Sequence, residues 1–293
     1  VKLPGRLAGI VQEQWNDLKT MKTKSMTDCF WLLGAGILAG LLGAGCWAGA
    51  AFAREDYKEE MHQTYPLAED GRLSLGNVNG SVRLSVWDRP EVKLDAVKSA
   101  RNKKDLEKLE IEVESKADRL AVRTRHRQSR SWWGWGRGGS GSVQYTLTVP
   151  RSARLEDISN VNGSIEIEGA RGHVKASTVN GALRATGLAG SAELSSVNGA
   201  VKVAFASLAQ VKSISAGTVN GAVELDLPAG ANADLSASTV NGSISGDVSV
   251  KKNWPIGAEV KTRLGQGGPK INLSTVNGGV RIHLEKLDAE KPQ

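Results

Sequence analysis

The sequence predicts an all-β protein: a β-solenoid (β-helix-like) repeat domain preceded by one N-terminal transmembrane helix. Three observations predict it. The tripeptide Val-Asn-Gly occurs seven times, it is framed by short stretches in which apolar and polar residues alternate, and residues 29–53 run for 25 positions without a charge. Aromatic residues make up only 5% of the chain while glycine numbers 34, so the apolar content is mostly Val, Ile, Leu and Ala. Small aliphatic side chains suit a thin layered core better than a globular one, which draws on aromatic bulk.

Residues 1–28 read as a cytoplasmic leader. Leu7, Ile10, Val11, Trp15 and Leu18 fall at helical spacing, as in an amphipathic stub on a membrane face or a short soluble helix. The uncharged run 29–53 is long enough to span a bilayer as a helix. Five Lys or Arg precede it (Lys2, Arg6, Lys19, Lys22, Lys24) against three in the 20 residues that follow, which orients the N-terminus inward. The expected location is therefore the inner (cytoplasmic) membrane, single-pass, with the C-terminal domain periplasmic or extracellular and the membrane contacted through this helix. Two other readings stay open. Ala51-Phe52-Ala53 has the small-x-small form of a signal-peptide cleavage site, and Cys46 could mark a lipoprotein, although Gly43 stands where a Leu-like residue is expected. Gly36-x-x-x-Gly40 and Gly45-x-x-x-Gly49 would allow close helix approach, or reflect only the frequency of small residues in membrane helices. Residues 54–65 read as a linker and 66–293 as the repeat domain.

The opening stretch of that domain carries strands without the repeat. Ser81 to Trp87 alternates, Asp88-Arg89-Pro90 turns, and Glu91 to Val97 alternates again. Asn102 to Leu109 has the form of one helical turn; Leu109–Ser115, Leu120–His126 and Val143–Val149 are further strands. An irregular start of this kind would cover the open end of a solenoid, whose terminal coil exposes unpaired edges.

The repeats begin in earnest at Val161-Asn162-Gly163. Val-Asn-Gly returns with Asn180, Asn198, Asn220, Asn241 and Asn277 at its centre, after an early copy at Asn79. From Asn162 the intervals are 18, 18, 22, 21 and 36 residues, the last twice 18, as if one copy had lost its signature. Within a period, Ile165 and Ile167 face one way and Glu166 and Glu168 the other; after the Gly169–Gly172 turn, Val174 and Ala176 face in while His173, Lys175 and Ser177 face out. Each repeat thus reads strand, Gly-rich corner, strand, Asn-Gly corner, with Asn and Gly expected to supply positive φ at the corner. Asn-Gly also favours two-residue hairpins, so an antiparallel meander competes. Faithful recurrence of one tripeptide favours stacked coils, in which like lies over like.

Four patterns carry a family resemblance: Trp87-Asp-Arg-Pro-Glu-Val92, Val149-Pro-Arg-Ser-Ala-Arg-Leu155, the Val-Asn-Gly series, and Leu264-Gly-Gln-Gly-Gly268 before Ile271-Asn-Leu-Ser-Thr-Val-Asn-Gly278. Together they resemble the bacterial putative-adhesin family over roughly residues 66–285. The resemblance implies a β-solenoid fold, an envelope or surface location and no assigned chemistry; some relatives accompany envelope-stress regulation.

Catalytic and cofactor signals are absent from the sequence. His62, His126, His173 and His283 show no metal-ligand spacing, both cysteines (Cys29, Cys46) lie in the apolar run, and no Gly-x-Ser-x-Gly elbow occurs. Gly265-Gln-Gly-Gly-Pro-Lys270 lacks the length and the Lys-Ser/Thr pair of a phosphate loop. Asp157, Glu166, Glu168, Glu224 and Asp226 lie scattered on outward strand positions. No catalytic residue, cofactor or metal site is expected, and the net charge of +7 is too dispersed for a nucleic-acid partner. One stretch stands apart: Arg130, Trp132, Trp133, Trp135 and Arg137 lie in a Gly- and Ser-rich segment. Indoles between cations there would stack on sugars, sit at a lipid interface or grip a protein; folding back to cap a coil is the alternative. The sequence therefore reads first as a non-catalytic envelope module for adhesion, scaffolding or binding of a glycan or protein. A sensing component for envelope stress comes second, and a polysaccharide-active enzyme third.

Overall fold

The computed structural model describes residues 56–126, 141–247 and 257–285. Alternation of apolar and polar residues becomes strand almost everywhere in them. The N-terminal region comprises β1 (Tyr57–Pro66), β2 (Arg72–Gly76), β3 (Val82–Trp87), β4 (Glu91–Ala100), the one-turn helix α1 (Lys103–Glu107), β5 (Leu109–Lys116), β6 (Arg119–His126) and β7 (Gly141–Pro150). The repeats supply β8 (Arg154–Asn162), β9 (Ile165–Glu168), β10 (Val174–Asn180), β11 (Leu183–Leu188), β12 (Ala192–Asn198), β13 (Val201–Phe205), β14 (Ser213–Asn220) and β15 (Val223–Leu227). The chain closes with β16 (Ala233–Asn241), β17 (Ile244–Gly246), β18 (Ala258–Leu264), β19 (Lys270–Asn277) and β20 (Val280–Leu284).

These strands form two ten-stranded sheets, and the protein is all-β. Within the repeats every lateral pairing is parallel, and in register apart from a bulge at Asp157 of β8 and a shift after Ala185 of β11: β10 lies between β8 and β12, and β11 between β9 and β13. An antiparallel meander is thereby ruled out. Each period places one strand in each sheet, and the Asn-Gly corner carries the chain from one sheet to the other. The core is the thin space between. Ile165, Ile167, Val174, Ala176, Leu183 and Ala185 are buried, while Glu166, Lys175 and Arg184 on the same strands stay at the surface. Burying a Leu or Val stabilises by about 1.5–3 kcal/mol, and with several such residues at each level the coils stack as one continuous apolar column.

Chain order and spatial order diverge at both ends. β2 lies between β6 and β8, and β3 between β7 and β9, so the first coil of the chain is the second in space. At the other end β19 lies between β14 and β16, and β20 between β15 and β17. The last coil of the chain thus fills the level beneath the one made before it. This accounts for the 36-residue interval: no copy has lost its signature, because the chain leaves β17, adds β18 antiparallel to β16 at the sheet edge, and returns one level inward. Antiparallel strands also finish the opposite end, where β4 pairs with β7, β1 with β4 and β5 with β6.

Two expectations are corrected. Residues 54–65, read as a linker, are mostly strand β1, whose side chains are largely exposed and whose place is set by backbone pairing to β4. The single-pass inner-membrane location, with its membrane contact through a helix, does not hold. Among the described residues no helix is long and apolar enough to cross a membrane, and α1 has five residues. The segment 29–53 on which that expectation rested lies outside the described residues.

Candidate functional site: the asparagine corner

Stacking seven Val-Asn-Gly corners brings seven carboxamides into one row. In spatial order they are Asn79, Asn162, Asn180, Asn198, Asn220, Asn277 and Asn241. Each Nδ2 donates to the Oδ1 of the preceding residue at 2.8–2.9 Å, from Asn162 to Asn79 through Asn241 to Asn277. Asn79 Nδ2 in turn donates to the backbone carbonyl of Gly141, at the start of β7, at 3.2 Å. All six amide bonds point the same way along the coil axis, so each polarises the next.

The corner asparagines, and four of the seven corner glycines, owe their identity to this stacking and not to positive φ. The only non-glycine residue with positive φ among those described is Asp157 (φ 73), at the bulge of β8, so none of the corner asparagines adopts it. Of the corner glycines, only Gly80, Gly163 and Gly278 have φ between 115 and 159. What demands glycine is the approach of the next coil. A Cβ on Gly199 would lie 2.6 Å from the Gly181 carbonyl carbon, and the same clash recurs at Gly242 against Gly278.

Two residues before each asparagine sits a buried polar side chain that the sequence reading passed over. Thr178, Ser196, Thr218, Thr275 and Thr239 donate to the glycine carbonyl of the neighbouring corner at 2.9–3.1 Å. Asn160 donates to Gly80 O at 2.7 Å and Asn77 to Val143 O at 3.0 Å. The true signature is therefore (Thr/Ser/Asn)-Val-Asn-Gly: one inward hydroxyl or amide for the buried carbonyl, one outward amide for the ladder. Four-residue comparison of the seven copies would have revealed it.

Around the ladder the surface is neutral. The valines of the tripeptide point outward beside it and are half-buried, with Val240 at 37% exposure. On the far side of the glycines stand Ser81, Ser164, Ala182, Ala200, Ala222, Gly279 and Ser243. Charge begins one outward position further into the first sheet, with Arg83, Glu166, Arg184, Lys202, Glu224 and Arg281 in register. Ion pairs run through that row: Arg83–Glu166 and Arg281–Glu224 at 2.9 Å, Lys202–Glu224 at 3.4 Å and Lys202–Asp226 at 3.3 Å. Burial works to raise the Glu224 carboxyl, but hydrogen bonds from Arg281 and Lys202 together hold it below the usual carboxylate range. A general acid needs the opposite displacement, so Glu224 acts as an ion-pair partner.

The remaining sequence candidates disperse. Arg130, Trp132, Trp133, Trp135 and Arg137 lie outside the described residues. The four histidines occupy separate strands or turns, and among the described residues no three His, Cys, Asp or Glu side chains come together in a way that could hold a metal ion. Two of the family-like motifs meet structurally: Arg151 donates twice to Asp88, at 2.8 and 2.9 Å, and Trp87 Nε1 donates to the Glu91 carbonyl at 2.7 Å across the Asp88–Pro90 turn. In the loop between β18 and β19, Gln266 N donates to Asn232 Oδ1 at 2.7 Å, so that loop is held as a connection.

No family model and no curated protein matches the chain. Solved structures do. A putative cell adhesion protein from Clostridium sporogenes is 14% identical with a TM-score of 0.48, covering 79% of this chain and 100% of that one. A putative adhesin from Bacteroides fragilis is 12% identical with a TM-score of 0.36, covering 78% and 97%. A putative lipid binding protein from Parabacteroides distasonis is 10% identical with a TM-score of 0.26 over the same shares. The likeness to bacterial putative adhesins read from the Val-Asn-Gly series is thus met again among the solved structures to which this chain is similar.

Proposed function

We propose that the β fold running from β1 to β20 is a non-catalytic β-solenoid module that binds a partner outside the chain through its asparagine corner. One observation carries the reading: a neutral row of seven ordered carboxamides runs the length of the stacked coils, while the neighbouring carboxylates of the first sheet are tied into ion pairs. Amides with spare donors and acceptors recognise, and Glu224, its carboxyl held low by Arg281 and Lys202, is not set up as a proton donor. The stretch carrying Trp132, Trp133 and Trp135 between Arg130 and Arg137 is offered, on its composition, as a second contact.

The test is co-sedimentation of the full chain with isolated cell-envelope fractions, alongside an assay for released reducing sugar. Saturable binding that survives Glu224→Gln, weakens in Trp132/Trp133/Trp135→Ala and releases no product is expected. Absence of saturable binding to every fraction would overturn the proposal, as would product release abolished by Glu224→Gln, which would establish the polysaccharide-active reading instead.

A further inference from the structure

The chemistry of the corner specifies a class of partner. Each ladder carboxamide has two N–H donors and an oxygen with two lone pairs. Stacking uses one donor and one lone pair at the interior levels, so each level keeps one of each. Six of the seven asparagines are exposed and Asn79 is half-buried, and the exposed groups face solvent at the coil spacing of about 4.8 Å. Seven levels give a track of roughly 29 Å at that spacing. A ligand that satisfies them must present a hydroxyl-rich unit at nearly the same interval, over and over. One pyranose ring of an extended β-linked chain advances by close to that distance.

Three further features fit a sugar chain and count against other polymers. The outward valines beside the amides offer an apolar strip for the C–H faces of the rings. The corner glycines keep the ground between the amide row and the Ser/Ala row free of side chains, so a chain can lie close. No charged side chain stands in the Val, Asn, Gly or Ser/Ala rows. Polyanions such as nucleic acid or acidic polysaccharide find no counter-charge on the track. Because all six amide bonds point one way, the track also has a direction, as a glycan chain has.

We propose that the asparagine corner is a track for a single extended, neutral, β-linked glycan chain lying parallel to the coil axis. This rests on the binding-module reading and narrows it. The test is calorimetry of the full chain with β-1,4-linked glucose oligomers and β-1,4-linked N-acetylglucosamine oligomers, each from two to seven units. Affinity for one of the series is expected to climb with every unit added, by about tenfold or more between two and six units. The double variant Val197→Lys/Val219→Lys places charged arms across the track without touching the ladder. It should weaken binding of the longest oligomer by at least about tenfold while its melting temperature stays within a few degrees. Envelope binding that persists while no neutral oligomer binds, or oligomer binding indifferent to length or to the two lysines, would overturn the track and leave the module standing. Failure to bind both oligomers and envelope fractions would remove the two together.

Discussion

Gly199→Ala measures how tightly the coils are stacked. The added methyl would sit 2.6 Å from the Gly181 carbonyl carbon and closer still to its oxygen, whereas real Cβ atoms essentially never come within 3.0 Å of a neighbour. Backbone lies on both sides, so no side chain can swing away; the corners at these two levels must separate. Four hydrogen bonds span the gap: Gly181 N to Asn198 O at 3.1 Å, Leu183 N to Ala200 O at 2.9 Å, Ser196 Oγ to Gly181 O at 3.1 Å, and Asn198 Nδ2 to Asn180 Oδ1 at 2.9 Å. At a net value of about 1 kcal/mol each, the loss is about 3–4 kcal/mol. The control is Gly76→Ala, where φ is ordinary and the nearest atom, Ser159 Oγ, lies 3.8 Å from the added carbon. That change should be neutral, or stabilise by about 0.4–1 kcal/mol through the unfolded chain. Urea unfolding followed by circular dichroism gives both numbers. A Gly199→Ala protein within about 1 kcal/mol of the parent would refute the view that close approach dictates glycine here.

Other predictions follow from the same corner and from the edge strand. Asn198→Ala removes two ladder bonds and Asn241→Ala, at the ladder's end, one; urea unfolding should give losses of about 1–3 and 0.5–1.5 kcal/mol respectively. Equal losses would mean that the ladder does not act as a chain of bonds. Thr178→Val keeps the shape but withdraws the hydroxyl from Gly163 O, costing about 1–3 kcal/mol. Thr178→Ser should restore most of that, as the Ser196 hydroxyl makes the equivalent bond in the next coil. On the edge strand, the hydrogen bond that His62 Nδ1 makes to the Asp95 carboxylate, at 2.7 Å, raises the pKa of exposed His62, with Glu60 adding to it, and Lys93 also holds Asp95. Because the folded value lies above the unfolded one, this contribution is full below the ordinary histidine pKa and fades as pH rises through the raised value. NMR titration should show His62 returning toward the ordinary value in Asp95→Asn; no change would break the assignment.

What the sequence allowed to be read was whatever repeats locally. Alternation placed Ile165, Ile167, Val174 and Ala176 in the core, because a strand's period of two leaves no choice once one face is buried. The tripeptide marked the corners, yet positive φ accounts only for Gly80, Gly163 and Gly278 among the corner residues and for none of the asparagines. Asn-Gly signals positive φ in a hairpin, whereas here the demand on glycine comes from a neighbouring coil, a contact no single repeat contains. β1 escaped notice because its pairing is through the backbone and its Lys58, Glu59, Glu60 and His62 carry no burial alternation. Charges of this kind on an edge strand also discourage further strand addition. Order along the axis was illegible for a different reason: each repeat says that it stacks, and none says on which neighbour. The candidate Trp segment was visible as composition alone and lies outside the described residues.

The displaced coils at the two ends bear on what the corner can do. In a simple linear repeat, end coils fray one at a time, since each touches only its neighbour. Here β16 pairs only with β18 and β19, so the outermost level is held by strands that follow it in the chain. At the other end β2 and β3 are clasped between coils made later. Removing either end level therefore disturbs segments distant in sequence, which ties the ends to the middle. The amide row nonetheless passes through both irregularities: Asn277 takes its place between Asn220 and Asn241, donating to one and accepting from the other at 2.8 and 2.9 Å. The row thus stays unbroken across a change in chain order, so the ladder bonds that stabilise the middle levels reach the end level as well.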